Sequence, residues 1–178
     1  MKSFADAFLP VQNLKRLNIF NNYKLFSSYF YNSHTGPALS SLSDTIMDIE
    51  FGSNVFTAVP WDALQDLNET LTVLKLDNNI FTELGTGESG VGGISGLFNR
   101  VPGGKDTFPL MTKLIELNLD DCRIQHIHEK AFHNLKSLQD LSLKYNYLYA
   151  IPDAVAAIPS LNTFSFAAGD GAFDSGVK

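Results

Sequence analysis

The sequence predicts an α/β solenoid with a curved parallel sheet on its concave face. Three observations carry this prediction: a recurring nine-residue motif, a regular interval between most of its copies, and an apolar segment that precedes each copy at a fixed distance. One copy cannot bury its apolar side alone, whereas stacked copies share a continuous core. The chain has 178 residues, 44% of them hydrophobic, which is enough for the core of one domain.

The motif has apolar residues at its first, fourth and sixth positions. Its copies begin at residues 14, 46, 71, 114, 138 and 161. Side chains alternate between the two faces of a strand, so each copy predicts a short strand, starting near residues 16, 48, 73, 116, 140 and 163. The strands should pair in parallel, with the fourth and sixth motif residues in the core.

The ninth motif position holds Asn in four copies: Asn22, Asn54, Asn79 and Asn146. An amide at this place can bond backbone groups of the turn that leaves the strand. Cys122 occupies the same position, and we interpret it as a structural residue. The degenerate last copy has Gly there.

Apolar residues flank each strand on both sides. A second apolar pair follows the strand in four copies and should continue the core: Phe56 and Val59, Phe81 and Leu84, Ile124 and Ile127, Leu148 and Ile151. Before the strand, apolar residues recur at every third position, as in residues 8–14, 108–114, 132–138 and 155–161. This spacing predicts a helical turn packed on the core.

The intervals between motif starts are 32, 25, 43, 24 and 23 residues. The longest contains the Gly-rich residues 85–107, which we expect to be an irregular insertion that leaves the sheet uninterrupted. Residues 1–178 are interpreted as one domain of about six repeats. We also expect a fragment of a longer solenoid, because residues 8–14 are the closing part of a repeat whose own strand would lie before residue 1, and because the last repeat is unfinished.

The composition excludes several functions. A formal net charge of −6 and a pI near 5.0 are unsuited to binding nucleic acid. No apolar run reaches the roughly 18 to 20 residues of a membrane helix. We therefore expect no membrane span, signal peptide or anchor within this chain, and its single cysteine cannot form an internal disulfide.

No motif predicts catalysis or a cofactor. Residues 87–94 begin like a phosphate-binding loop but have Gly and Ile in place of the required Lys and Ser/Thr, so nucleotide binding is not expected. His126, His128, Glu129 and His133 are a weak candidate for metal binding, and exposed positions on a convex connection explain them better. We predict no enzyme, no metal and no cofactor.

Residues 59–79 and 127–152 resemble the typical leucine-rich repeats of animal cell-surface proteins. The form Ala-Leu-x-x-Leu-x-(Asp/Glu)-Thr-(Ile/Leu), at residues 38–46 and 63–71, is similar to the chaoptin-type branch, while Toll-like and Slit-like ectodomains share the commoner form. The resemblance covers residues 7 to about 169. It implies a leucine-rich repeat horseshoe that serves as an extracellular or cell-surface recognition module. Asn68, in Asn-Glu-Thr, then becomes a candidate for glycosylation.

Outward strand residues on the concave face are the candidate binding surface. The predicted ligand-binding residues are Asp48, Glu50, Lys75, Glu116, Asn118, Asp140, Ser142 and Lys144. Acids exceed bases by three at the outward positions, which favours a protein ligand with a basic patch, bound in a salt-sensitive way. An ordinary solvated face is the alternative interpretation.

The functional hypothesis is non-enzymatic protein recognition in cell adhesion, with self-association possible. The alternatives are an innate-immune or guidance receptor ectodomain and an intracellular leucine-rich repeat scaffold.

Overall fold

The computed structural model describes residues 7–8, 10–23, 31–32, 36–37, 39–57, 59–84 and 108–167. Within these ranges the strands are β1 (Arg16–Asn18), β2 (Tyr31–Asn32), β3 (Gly36–Pro37), β4 (Asp48–Glu50), β5 (Val73–Lys75), β6 (Glu83–Leu84), β7 (Glu116–Asn118), β8 (His126–Ile127), β9 (Asp140–Ser142) and β10 (Thr163–Ser165). One α-helical turn, α1 (Trp61–Leu64), and the 3₁₀ turns Ser40–Leu42 and Asp153–Ala157 precede strands.

Six three-residue strands, one from each motif copy, form a single parallel sheet. Their order is β1-β4-β5-β7-β9-β10, which is the order of the repeats in the chain. The central residues of the six strands stand opposite one another: Leu17, Ile49, Leu74, Leu117, Leu141 and Phe164. The predicted α/β solenoid of leucine-rich repeats is therefore confirmed. Each of the six strands of this sheet starts at the residue that the motif predicts.

The sheet crosses the 43-residue interval without a break. Val73 of β5 pairs directly with Glu116 of β7. Both ends of the interval bond to the turn at residues 128–131. The carbonyl of Leu84 accepts the His128 N–H at 2.8 Å, and the N–H of Phe108 donates to the carbonyl of Ala131 at 2.8 Å. Residues 85–107, where an irregular insertion is expected, lie outside the described residues.

The core lies directly behind the sheet. The sixth motif residues Phe51, Leu76, Leu119 and Leu143 are fully buried, and so are Phe81, Phe108 and Phe132 behind them. Burial of each such side chain contributes about 1.5 to 3 kcal/mol. The second apolar pairs are buried as expected, with one exception.

That exception is Ile151, which is 58% exposed. On the convex side β6 and β8 form a small parallel sheet, in which the His128 N–H bonds the carbonyl of Leu84. Pro152 stands at the position equivalent to His128 in the next repeat and has no N–H to donate. The chain therefore does not add a third strand there, and the expectation of a buried Ile151 is wrong.

Asparagine side chains form a ladder at the end where the chain leaves the strands. Asn54, Asn79 and Asn146 are buried, and each Nδ2 donates to backbone carbonyls of its own and the preceding repeat. Asn146 Oδ1 also accepts the N–H groups of Cys122 and Ile124, both at 3.0 Å. Asn22 is exposed; its Nδ2 donates to the carbonyl of Phe20 at 3.1 Å, and its backbone N–H donates to Asn54 Oδ1 at 2.9 Å.

A second set of bonds, here called the hydroxyl ladder, ties adjacent repeats together where the chain enters the strands. In each, a Ser or Thr hydroxyl donates to a carbonyl of the preceding repeat. The bonds are Thr70 to Ser43 (2.8 Å), Thr112 to Asn68 (3.0 Å), Ser137 to Thr112 (2.7 Å) and Ser160 to Lys136 (2.7 Å). The short strands are thus held by side chains at both ends.

Candidate binding surface

The third, fifth and seventh motif residues point away from the core and form three rows across the sheet. The first row is Arg16, Asp48, Val73, Glu116, Asp140 and Thr163; the second row is Asn18, Glu50, Lys75, Asn118, Ser142 and Ser165; the third row is Phe20, Gly52, Asp77, Asp120, Lys144 and Ala167. Neighbours within a row are about 4.8 Å apart, the spacing of paired strands. All eight ligand-binding residues predicted from the sequence lie on this surface.

Ion pairs join the first four strands of the surface. Arg16 Nη2 lies 2.7 Å from Asp48 Oδ2, and Arg16 Nε donates to the same oxygen at 2.8 Å. Lys75 Nζ lies 3.5 Å from Glu50 Oε1 and 4.0 Å from Glu116 Oε1. Exposed pairs of this kind stabilise a fold by about 0 to 1 kcal/mol. They organise the charges of the surface more than they strengthen the sheet.

Asp120 has the most complete set of partners on the surface. Its Oδ1 accepts the Ser142 hydroxyl at 2.6 Å and the backbone N–H of Lys144 at 2.7 Å, while its Oδ2 lies 3.4 Å from Lys144 Nζ. Beside this cluster a groove of about 340 Å³ runs over β7, β9 and β10, with Asp140 and Thr163 in its lining. The predicted residues Glu116, Asn118, Asp140, Ser142 and Lys144 meet in this groove.

Six carboxylates and three cations stand on the three rows, all of them in the described part of the chain. Four of the six acids are ion-paired with these cations. The two acids that no ion pair joins to a described residue are Asp77 and Asp140. The surface has a formal excess of three negative charges, and these two acids are its unneutralised positions.

Asp77 lies in the middle of the third row and is only partly accessible to water. Burial raises the pKa of its carboxyl, and the nearby charges of Asp120 and Glu50 act in the same direction. Its own backbone N–H and the charge of Lys75 oppose the shift but do not cancel it. The charged form of Asp77 is therefore disfavoured in the folded chain.

Two other predicted positions lie off the concave surface. Asn68 Nδ2 donates to Glu69 Oε1 at 3.2 Å, in an exposed contact, while the carbonyl of Asn68 is used within the fold. Cys122 is fully buried, and its thiol donates to the carbonyl of Leu76 at 3.1 Å. Because burial raises the pKa of this thiol, it stays protonated and acts as a hydrogen-bond donor in the asparagine ladder.

The histidine cluster lies on the convex side. His126, His128 and Glu129 border an open groove of about 550 Å³, whose other wall includes the exposed side chains of Tyr149 and Ile151. Among the residues that the structure describes, no group of three His, Cys, Asp or Glu side chains is arranged to hold a metal ion. Within the same ranges, no helix is long and apolar enough to cross a membrane.

Sequence reasoning missed two features. The hydroxyl ladder has a readable signal, since Ser or Thr stands one or two residues before the motif in several copies. The close approach of Asp77 to Gly52 has a weaker signal in the sequence. Gly52 has no side chain, whereas most residues at the seventh motif position have a large one. Neither Gly52 nor Asp77 is among the predicted ligand-binding residues.

Comparisons with known proteins found one family match and similar solved structures. Residues 112–165 match the family described as "Leucine rich repeat". Among solved structures, the chain is similar to an internalin (inlF) of Listeria monocytogenes, with 22% identity and a TM-score of 0.48 over 73% of this chain and 31% of that one. This chain thus covers less than a third of that internalin. Among curated proteins, none matches.

The described chain is a leucine-rich repeat solenoid, with the family match confined to the last three strands of the six-stranded sheet and the segments between them. Proteins of this class are typically non-enzymatic, and the class supports a protein–protein interaction module. The finer assignments, to adhesion and to the cell surface, are matters of proposal.

Proposed function

We propose that this chain is a non-enzymatic recognition module that binds a protein ligand through the three rows of its concave surface. The observation that carries the proposal is the six-stranded register, which sets polar and charged side chains of six repeats side by side on one open face. The groove over β7, β9 and β10 adds a concave place for a ligand side chain.

The charge pattern suggests the chemistry of the partner. Among the described residues no ion pair joins Asp77 or Asp140 to a cation, and the three rows together are acidic. A basic patch on the partner would supply the missing cations and speed the encounter of the two proteins. Binding then weakens as salt is added, because salt screens exposed charges.

We further propose that the module acts at the cell surface, in adhesion. The resemblance of residues 38–46 and 63–71 to chaoptin-type repeats supports this setting. Asn68 would then be glycosylated, and its exposed amide is compatible with that. Intact mass of the chain secreted from animal cells tests it: a glycan that disappears in Asn68→Gln is expected, and an unmodified mass would contradict it.

Two triple variants with equal charge change test the concave surface. The concave variant combines Asp48→Asn, Glu116→Gln and Asp140→Asn, and the control combines Glu83→Gln, Glu129→Gln and Asp153→Asn, which lie outside the three rows. Wild type and both variants are immobilised and used to select from a displayed library of random peptides at several salt concentrations.

We expect the wild type and the control to enrich the same basic peptides, with enrichment falling as salt rises. The concave variant should lose them. Equal enrichment by all three proteins would remove the concave surface from the proposal, and loss in the control alone would move the site to the convex side.

A further inference from the structure

The third row contains a gap between an aromatic ring and a carboxylate. Phe20, Gly52 and Asp77 are consecutive members of this row, since the Asn21 N–H bonds the carbonyl of Gly52 at 3.0 Å and the Ser53 N–H bonds that of Asp77 at 2.9 Å. Gly52 has no side chain, so Phe20 and Asp77 are the residues with side chains on either side of it in the row.

The Asp77 carboxylate occupies the space above Gly52. A Cβ placed on Gly52 would lie 2.9 Å from Asp77 Oδ2 and 3.0 Å from Oδ1, closer than such atoms approach in proteins. Gly52 is accordingly buried although it belongs to the concave surface. The absence of a side chain at residue 52 is therefore what allows Asp77 to lean toward Phe20.

No ion pair joins Asp77 to a cation of the described chain, although the charge of Lys75 acts on it. Lys75 is shared between Glu50 and Glu116, and Lys144 is paired with Asp120. Asp120 itself, the neighbour of Asp77 in the row, is already satisfied by Ser142 and Lys144. A half-buried carboxylate without a cation, in the middle of a binding surface, is suited to accept one from outside.

Phe20 supplies the second contact for such a cation. Its side chain is 52% exposed, which is unusual for a phenylalanine and leaves the ring accessible from the concave side. A planar guanidinium can stack on an aromatic face and donate two hydrogen bonds to a carboxylate, whereas an ammonium can do only part of this.

We propose that Phe20, Gly52 and Asp77 form a seat for one arginine side chain of the protein partner. The arginine would lie with its guanidinium against the Phe20 ring and its N–H groups on the Asp77 carboxylate, which can lie over residue 52 because Gly52 has no side chain. This inference rests on the proposed function and names one specific contact within it.

The test uses the full chain and three small probes: acetyl-arginine amide, acetyl-lysine amide and acetyl-citrulline amide. Citrulline keeps the shape of arginine without its charge. Carboxyl ¹³C resonances of Asp77 and Asp140 are followed by NMR as each probe is added. We expect a saturable shift at Asp77 that is largest with arginine, smaller with lysine and absent with citrulline, and only a small change at Asp140.

Variants separate geometry from charge. Gly52→Ala keeps every charge but displaces the Asp77 carboxylate, and Phe20→Leu keeps an apolar side chain but removes the ring. Each should lose the preference for arginine over lysine. Asp77→Asn, followed through the backbone amide resonance of Gly52, should weaken arginine binding about tenfold or more, the loss expected for one hydrogen bond to a charged group. Asp140→Asn is the control with the same charge change.

Equal shifts at Asp77 and Asp140 would overturn the arginine seat, as would an arginine preference that survives Gly52→Ala and Asp77→Asn. Such a result would not affect the proposed binding through the concave surface, provided that the concave triple variant still fails to enrich the basic peptides. If Gly52→Ala does not fold, Asp77→Asn alone decides, because it removes a disfavoured charge and is expected to fold.

Discussion

At the scale of single residues, we expect stability to depend on the identity of the side chains in the asparagine ladder. Asn146 is fully buried and forms hydrogen bonds with both its oxygen and its nitrogen. Asn146→Ala would leave several backbone groups buried without partners, at a cost of about 1 to 3 kcal/mol for each such group. We expect the free energy of unfolding in urea to fall by at least about 2 kcal/mol.

Asn162→Ala is the matched control for this measurement. Asn162 is exposed, and its side-chain Nδ2 lies 3.5 Å from Gln139 Oε1. Its loss should change the free energy of unfolding by less than about 0.5 kcal/mol. Similar losses in the two variants would show that the ladder position of Asn146 confers no special stability.

Asp77 makes the stability of the folded chain depend on pH. The groups that act on it are Lys75, Glu50 and Asp120, and burial raises its pKa above the ordinary value of 3.8. In the window from 3.8 up to the raised pKa, the native state binds more protons than the unfolded state. The contribution of Asp77 to stability therefore declines as pH rises through that window, and the full cost is present above it.

Asp77→Asn removes this cost, so the variant should be more stable than the wild type at pH 7. The difference between the two should shrink as the pH is lowered and vanish near and below 3.8. Thermal unfolding of both proteins across this range measures it. A variant that is less stable at neutral pH would contradict the unfavourable environment assigned to the charge.

At the scale of elements, the three-residue strands depend on their central side chains. Leu117 is 1% exposed, and its neighbour Glu116 lies on the open face of the same strand. Leu117→Ala should lower the free energy of unfolding by about 2 to 5 kcal/mol, the range for buried leucines. Glu116→Ala should change it by less than about 0.5 kcal/mol, as measured by urea denaturation. Comparable effects would place Leu117 outside the core.

The sheet could be predicted from the sequence almost completely, because one motif repeated six times fixes both the strand and its register. The convex side could be predicted less well. Ile151 has the spacing of a core residue, yet a single missing N–H at Pro152 prevents the pairing that would bury it. A periodic pattern shows which apolar residues recur at regular spacing. It does not show whether the backbone N–H that pairing with the neighbouring repeat requires is present.

The turns that leave the strands show the same limit. The eighth motif residue has a positive φ in five copies: Asn21 (61°), Ser53 (53°), Asn78 (52°), Asp121 (52°) and Tyr145 (58°). Asn and Asp are common in this conformation, since their short polar side chains bond locally, whereas Tyr is not. Tyr145 shows that the turn is imposed by the strand and ladder on either side.

At the scale of the whole molecule, the long interval between the third and fourth repeats can be shortened. In the next repeat four residues, 128–131, connect Ile127 to Phe132, and Leu84 and Phe108 occupy the equivalent positions. Replacing residues 85–107 by the sequence of 128–131 restores a 24-residue repeat. Closing the shorter connection costs less conformational entropy, by about 0.6 kcal/mol for each halving of its length.

We expect the shortened chain to unfold in one cooperative transition, with a free energy of unfolding equal to the wild type or about 1 to 2 kcal/mol higher. Urea denaturation followed by circular dichroism measures it. A chain with the same replacement made from four glycines controls for the sequence of the bridge. A large loss of stability in both would show that residues 85–107 contribute to the core.

The concave surface could be predicted in outline from the sequence, because alternation along each strand decides which side chains point outward. The pairing among them was not predicted. Only the structure shows that Lys75 is shared by two acids and that, within the described part of the chain, Asp77 is in no ion pair. Such differences depend on side-chain reach across strands, which spacing within one strand does not report.

The inter-strand bonds and both ladders run between neighbouring repeats, and this has a consequence for how the molecule bears tension. If the described chain is pulled from its two ends, each repeat transmits the force to the next through a single interface. The terminal repeat should peel away first and then expose the following one to the same load. Extension would therefore proceed in steps of one repeat, and the force of each step would be set by one interface, however many repeats are stacked.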